Sequence, residues 1–235
     1  METRESQIKY PEPLQQGLFI ARKNRFVALV DLHGEQVIAH IPSSGRMHEL
    51  LYHGAKVFLL PRRDVQRKTS FDLVVATQDD ILVSIDSHLP NRLIAYNLRE
   101  GLILGFDGAI EVEQEVTYQT SRLDFRIRQE QQICFMEVKS VTLVENGQAL
   151  FPDAPTARGT RHVAELMLAR QEGYRAVALF VIQRNDASIF SPNKRTDPEF
   201  SAALYRAQQT GVEVYAYDCQ VALEGISLGN MVPVV

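Results

Sequence analysis

Two cysteines in 235 residues are too few for a disulfide framework, and Cys134 and Cys219 both sit inside apolar, strand-like runs. Thiols placed in this way read as buried and free, as expected in a reducing compartment, and not as metal ligands. No apolar run reaches the roughly 20 residues that a membrane-spanning helix needs. The start, Met1-Glu-Thr-Arg-Glu-Ser6, lacks the basic and then apolar pattern of a signal peptide. The expected setting is cytoplasmic, with no membrane partner. Internal repeats and low-complexity tracts are absent as well. There is no large charge imbalance either, and a net charge of −4 argues against indiscriminate binding to nucleic acid. The charge is uneven, however. Residues 1–82 carry eleven Lys and Arg against ten Asp and Glu, and the remainder fourteen against nineteen, which leaves room for a local basic surface. What is present is ordinary globular material, 45% hydrophobic and 23% charged, enough for one large domain or two small ones.

The first eighty residues pattern as β structure. Gly17 to Val30 is long enough for a bent strand or a hairpin, and Gln36–Ile41, Lys56–Leu60 and Phe71–Ala76 follow as shorter strands. About five short strands punctuated by Gly34, Gly45, Gly54, Pro42 and Pro61 suit a small OB-type barrel, and an SH3-like barrel fits almost as well. From about residue 83 the pattern changes. Pro90–Glu100 has helical spacing, with Leu93, Ile94 and Leu98 on one stripe and Gly101 placed to stop it. Strand-like Ala109–Tyr118 follows, then two further strands, Ser121–Arg128 and Ile133–Lys139, around the polar stretch Gln129-Glu-Gln-Gln132. Thr160–Glu172 reads as a helix and Ala176–Ile182 as a strand buried on both faces. Asp197-Pro198 opens a third helix, and Val212–Tyr217 is a last strand. The expected organisation is α/β with a small β-barrel: an OB-like barrel over 1–82 and a mixed sheet flanked by helices over 83–235.

Chemistry concentrates on the two strands in the middle. Asp124 lies on the first, and Glu137-Val138-Lys139 on the second. Side chains alternate along a strand, so Glu137 and Lys139 share a face. If Asp124 shares it too, two hard-oxygen acids suited to Mg²⁺ or Mn²⁺ stand beside an ammonium able to position water or neutralise a phosphate. On spacing alone a solvated strand face is the commoner reading. The apolar flanks Ile133-Cys-Phe-Met136 and Val141-Thr-Leu-Val144 mark a central strand, where charges are rarely buried unless paired or metal-bound. The surrounding helix–strand–strand–strand–helix–strand order is that of the PD-(D/E)XK nucleases, a restriction-endonuclease-like core.

Ser121-Arg-Leu-Asp-Phe125, Glu137-Val-Lys-Ser-Val-Thr-Leu143, Phe151-Pro-Asp-Ala-Pro-Thr156 and Arg158-Gly159 followed by His162 resemble, in order and spacing, the sugar fermentation stimulation protein A family. Pro90-Asn-Arg-Leu93 and Pro42-Ser-Ser-Gly-Arg-Met47 match looser segments of it. The resemblance implies an OB-type domain joined to a PD-(D/E)XK domain, DNA as partner, and a link to sugar metabolism. It implies Asp124 and Glu137 as metal ligands with the Val138 carbonyl as a third, Mg²⁺ or Mn²⁺ as the metal, and Lys139 as the group acting on water or phosphate. His162 becomes a hydrogen-bond donor facing the site. A metal-dependent nuclease is the leading function, with a non-catalytic DNA-binding regulator of sugar-metabolism genes on the same scaffold as the alternative. A homodimer is compatible with the fold, many of whose members pair. Three positions depart from the family pattern. The acid often supplied by the first helix is replaced at what reads as Tyr96, with Glu115 or Glu100 as substitutes, and Ser43 and Ala157 stand where Asn and an acid are usual.

Nucleic-acid contacts are expected from Arg22, Lys23 and Arg25, from Arg62, Arg63, Arg67 and Lys68, and from Arg122, Arg158 and His162. For the Arg62–Lys68 stretch a solvated loop between strands is the competing reading, with Phe58 and Phe71 beside it assigned to the core. Arg122 points away from Asp124, where an ion pair with a surface acid competes with a phosphate contact. Asp153 is either a turn former or part of a phosphate site at the following helix start.

Overall fold

The computed structural model describes residues 7–63 and 66–235, so the opening Met1–Ser6 segment lies outside the described residues. Among the described residues seven strands precede the first helix: β1 (Gln7–Lys9), β2 (Gln15–Asn24), β3 (Val27–Leu32), β4 (Glu35–His40), β5 (Lys56–Pro61), β6 (Phe71–Gln78) and β7 (Ile81–Ser84). The long Gly17–Val30 run is a hairpin, β2 and β3, turning at Arg25-Phe26. Strands β4-β3-β2-β5-β6 form a closed barrel because β4 also pairs with β6, Ala39 against Phe71 and His40 against Asp72. Closure removes the exposed edges that would template aggregation. Phe19, Val30, Ile41, Leu59 and Leu73 fill the interior. Phe58 is buried in a small cluster outside it with Leu60 and Val74, and Phe71 packs against the barrel core, so both aromatics are packing residues.

The second half holds α1 (Leu89–Arg99), β8 (Glu111–Tyr118), β9 (Ser121–Gln129), β10 (Gln132–Val141), β11 (Val144–Glu145), β12 (Gln148–Phe151), α2 (Ala157–Gln171), β13 (Arg175–Ile182), β14 (Ile189–Pro192), α3 (Pro198–Gln209), β15 (Glu213–Val221) and β16 (Gly225–Met231). The main sheet runs β1-β16-β15-β13-β10-β9-β8. Its centre is parallel, β13 between β10 and β15, and its flanks are antiparallel. Period-two alternation divides β13 between two cores: Val177, Leu179 and Val181 face α1, and Ala178, Phe180 and Ile182 face α2 and α3. Leu93, Ile94 and Leu98 anchor α1 in the first core. Helix α2 begins at Ala157 because the Thr156 hydroxyl accepts the Gly159 amide at 3.0 Å, which caps the helix three residues before the apolar spacing indicates a start. Asp197 caps α3 by accepting the Phe200 amide at 2.9 Å.

The chain crosses between the two halves in ways the strand pattern does not announce. Gln7–Lys9 lies within the segment expected to be barrel, yet it pairs with Ser227–Gly225 at the edge of the large sheet. The expected boundary at Leu82 falls inside β7. Just beyond it, Ser84 donates twice to Gln183, its amide to the main-chain carbonyl at 3.0 Å and its hydroxyl to Oε1 at 3.2 Å. Arg184, 2% exposed, grips Asp186 through Nε and Nη2 at 2.6 and 2.7 Å and reaches Gln78 of β6 at 2.9 Å. Removing a buried, fully engaged guanidinium strands its partners. Arg184→Met is expected to lower the unfolding free energy by about 2–4 kcal/mol in urea titrations, and an unchanged midpoint would deny Arg184 this role. Among the described residues, no helix is long and apolar enough to cross a membrane.

Candidate active site

The β9–β10 hairpin pairs from Gln129↔Gln132 to Phe125↔Met136, and there the ladder stops. One residue further along β9, the Asp124 carboxylate takes over. Its Oδ2 accepts the Val138 amide of β10 at 2.8 Å, and its Oδ1 accepts the Asn91 side-chain amide from the first turn of α1 at 2.7 Å. Three elements therefore meet at one acid. On β10, Glu137 is 3% exposed beneath α2. Its Oε1 accepts from Lys139 Nζ at 2.5 Å and from His162 Nδ1. Arg158 Nε donates to His162 Nε2 at 3.4 Å, which leaves the ring proton on Nδ1, facing Glu137. The other carboxylate oxygen, Glu137 Oε2, is buried and has no hydrogen-bond partner. Such an oxygen costs free energy unless something cationic or protic meets it.

Environment separates the two acids. Burial, and then the Glu137 charge, push the Asp124 carboxyl up to about 6, against the pull of the Val138 amide, Lys139 and Asn91. Burial pushes Glu137 upward too, but His162 and Lys139 together hold it below the usual carboxylate range. One acid is firmly ionised and the other is poised to titrate. Both line a cavity of ≈ 360 Å³ with Lys139, Asp153 and Arg158 on the sheet side and Arg25 and Ser43 on the barrel side. Among the described residues no three His, Cys, Asp or Glu side chains converge as a metal cage. Two carboxylates and one unpartnered oxygen suit a hard divalent ion that keeps several waters, as Mg²⁺ does.

The expected contacts separate into groups. Asp124, Glu137, Val138 and Lys139 line the cavity, as do Arg25 and Arg158, and His162 stands behind Glu137. Arg22 is half-buried and spends Nη1 on the Gly45 and Arg46 carbonyls at 3.0 and 3.1 Å, so it braces the Pro42–Met47 loop. Arg62 and Arg67 both bind Asp72, at 2.6 and 2.5 Å, and Arg63 pairs with Glu12 at 3.1 Å. Much of that basic stretch is thus neutralised within the barrel. Lys23 and Lys68 are exposed. Arg122 pairs on the surface with Glu115 at 2.7 Å, away from the cavity.

The first-helix assignment needs correction. Tyr96 is 39% exposed and lies off the cavity, while Asn91 enters it. Asn91 stands three residues before Ile94 and seven before Leu98, on their apolar stripe, and a polar residue heading that stripe was the available signal. Tyr96 falls two residues from Ile94, on the opposite side. Glu115 is held by Arg122, and Glu100 caps the far end of α1, about 13 Å along the axis from Asn91. Neither acid lines the cavity. Asp153 proves to be a tether: its Oδ2 accepts the Arg46 amide of the barrel loop at 2.9 Å. Ser43 also lines the cavity, and Ala157 is an exposed first residue of α2.

A closed OB-type barrel set against a mixed sheet, with a buried carboxylate–lysine hairpin at their junction, defines a two-domain protein of a recognisable class. A family model described as the SfsA N-terminal OB domain matches residues 20–85, and one described as the sugar fermentation stimulation protein RE domain matches 88–225. The chain belongs to the sugar fermentation stimulation protein family. It is 49% identical over 228 residues to the sugar fermentation stimulation protein homolog of Desulforamulus reducens, covering 97% of this chain and 95% of that one. The homolog from Moorella thermoacetica is 45% identical over 223 residues, covering 94% and 96%. The solved structure of Pyrococcus furiosus SfsA, in complex with Ca²⁺, superposes with a TM-score of 0.89 at 30% identity, covering 97% of this chain and 99% of that one.

Proposed function

We infer that this chain is a DNA-binding, divalent-metal-dependent phosphodiesterase of the PD-(D/E)XK type. The observation that carries this reading is Glu137 Oε2, a buried and unpartnered carboxylate oxygen beside Asp124 and Lys139 in one cavity. Asp124 and Glu137 would hold Mg²⁺ or Mn²⁺, with the Val138 carbonyl as a third oxygen. The Ca²⁺ found with the Pyrococcus furiosus relative supports a hard cation in this family. Bound there, the ion would supply Lewis-acid and water-activating chemistry.

The chain's own residues do the remainder. His162 and Lys139 keep Glu137 ionised, and the Val138 and Asn91 amides fix the Asp124 carboxylate in place. Lys139 is positioned to orient a water or to offset negative charge growing on a phosphate. Arg25 and Arg158, both exposed at the cavity, can receive the flanking backbone phosphates.

Titration with Mg²⁺ and Mn²⁺ on a panel of DNA and RNA substrates tests the reading. Cleavage should require the ion and vanish in an Asp124→Ala, Lys139→Ala double variant. Cleavage retained by that variant would remove the assignment. One observation favours a second reading, DNA binding without turnover: α1 presents the Asn91 amide where an acid would add a ligand. In that case Asp124→Ala leaves binding intact, and no metal elicits cleavage.

A further inference from the structure

The cavity has a barrel wall that does not swing freely. The Ser87 amide and hydroxyl both donate to the Pro42 carbonyl, at 3.0 and 2.9 Å, which ties the start of the Pro42–Met47 loop to the segment leading into α1. Arg22 holds the Gly45 and Arg46 carbonyls from the barrel, and Asp153 holds the Arg46 amide from the loop between β12 and α2. Pinned from three directions, Ser43–Gly45 stands across the cavity from Asp124 and Glu137. The space between, ≈ 360 Å³, lies at the small end of ligand pockets and accommodates about one nucleotide. A fixed loop beside the two acids leaves less room for a paired strand than for a single one.

Beside the same wall, the β2–β3 turn presents Arg25 and Phe26. Phe26 is 45% exposed, and its carbonyl accepts the Ile41 amide at 2.8 Å, so the turn is anchored to the barrel. The Arg25 guanidinium lies 5.5 Å from the centre of the Phe26 ring and also lines the cavity. A half-exposed ring with a guanidinium over one side still offers aromatic surface on which an unpaired base can stack. In duplex that face of the base is already taken by its neighbours.

Accepting the assignment of the cavity to a nucleic-acid phosphate, we propose that its substrate is an unpaired strand, with Phe26 as the stacking platform for a base beside the bound phosphate. Both observations favour an unpaired strand over duplex, the first on steric and the second on chemical grounds. DNA and RNA strands share this chemistry and are separated by the test.

The experiment measures fluorescence anisotropy of the full chain in EDTA, with a labelled oligonucleotide of about twelve nucleotides as unpaired DNA, unpaired RNA and blunt DNA duplex. The unpaired DNA or RNA should bind at least about 10-fold tighter than the duplex. Phe26→Ala should lose about 10-fold on the unpaired strand and little on the duplex, and Phe26→Tyr should restore it. Equal affinity for duplex and both unpaired strands, or Phe26→Ala binding as wild type, overturns the proposal, as does failure to bind either unpaired strand. Turnover is not needed for this readout. Strand preference without metal-dependent cleavage would therefore reject the phosphodiesterase and keep the unpaired strand, and cleavage of blunt duplex at the rate of unpaired strand would do the reverse.

Discussion

Lys139→Met should slow metal-dependent strand cleavage by about 10²- to 10³-fold while leaving affinity for the uncleaved strand within a few-fold. Lys139 sits on β10 two residues from Glu137, and its side chain is 14% exposed. An ammonium so placed acts on charge that develops during reaction far more than on charge already present in the bound strand. Methionine preserves the length of the stem and its packing. Glu137 keeps the His162 bond after the change, so the site is not emptied of donors. Single-turnover rates and anisotropy on the same variant separate the two effects. A proportional loss of binding and rate would make Lys139 a general phosphate contact, and an unchanged rate would remove it from the chemistry.

Asp124→Asn should stabilise the protein above pH 6 as it abolishes cleavage. The folded carboxyl titrates near 6 and the ordinary value is 3.8, so the folded chain binds this proton more tightly than the unfolded one. Stability from this group is complete below about pH 4 and is lost as pH rises through about 6. At pH 7 the ionised Asp124 therefore costs up to about 3 kcal/mol. Asparagine removes that cost, still accepts the Val138 amide through Oδ1, and needs only a flip of the Asn91 amide to meet its own NH₂ group. The expected gain in Tm is roughly 3–8 °C at pH 8, shrinking towards zero at pH 4. Mg²⁺ should raise the wild-type Tm and leave the variant almost unmoved. Thermal unfolding from pH 4 to 8 checks both statements. A pH-independent difference, or a loss of stability at pH 8, would contradict the environment assigned to Asp124.

How much of this was legible beforehand depended on the range of the interaction. The hairpin, the apolar β13 and the Asp197-Pro198 helix start rest on neighbours in sequence, and each forms as its pattern indicates. Asp124, Glu137 and Lys139 were legible because strand alternation and a hairpin bring them together by local geometry. His162 came only with the family segments, since a helix 25 residues away has no local reason to face Glu137. Asn91 was passed over because its partner lies 33 residues away on another element. The basic stretch at Arg62–Lys68 suggested a binding surface because sequence counts charges without showing that Asp72 takes two of them.

By itself, the sequence determined the two-part α/β organisation, the free buried thiols and the carboxylate–lysine hairpin. These follow from periodicity, capping and composition, all of which act over a few residues. Only the tertiary structure decided that Gln7–Lys9 completes the second sheet, that Asp153 holds a barrel loop 107 residues away, and that Glu137 keeps one oxygen without a partner. Burial and partnership are properties of packed surfaces from distant segments, and desolvation, which raises the Asp124 carboxyl, exists only once they meet.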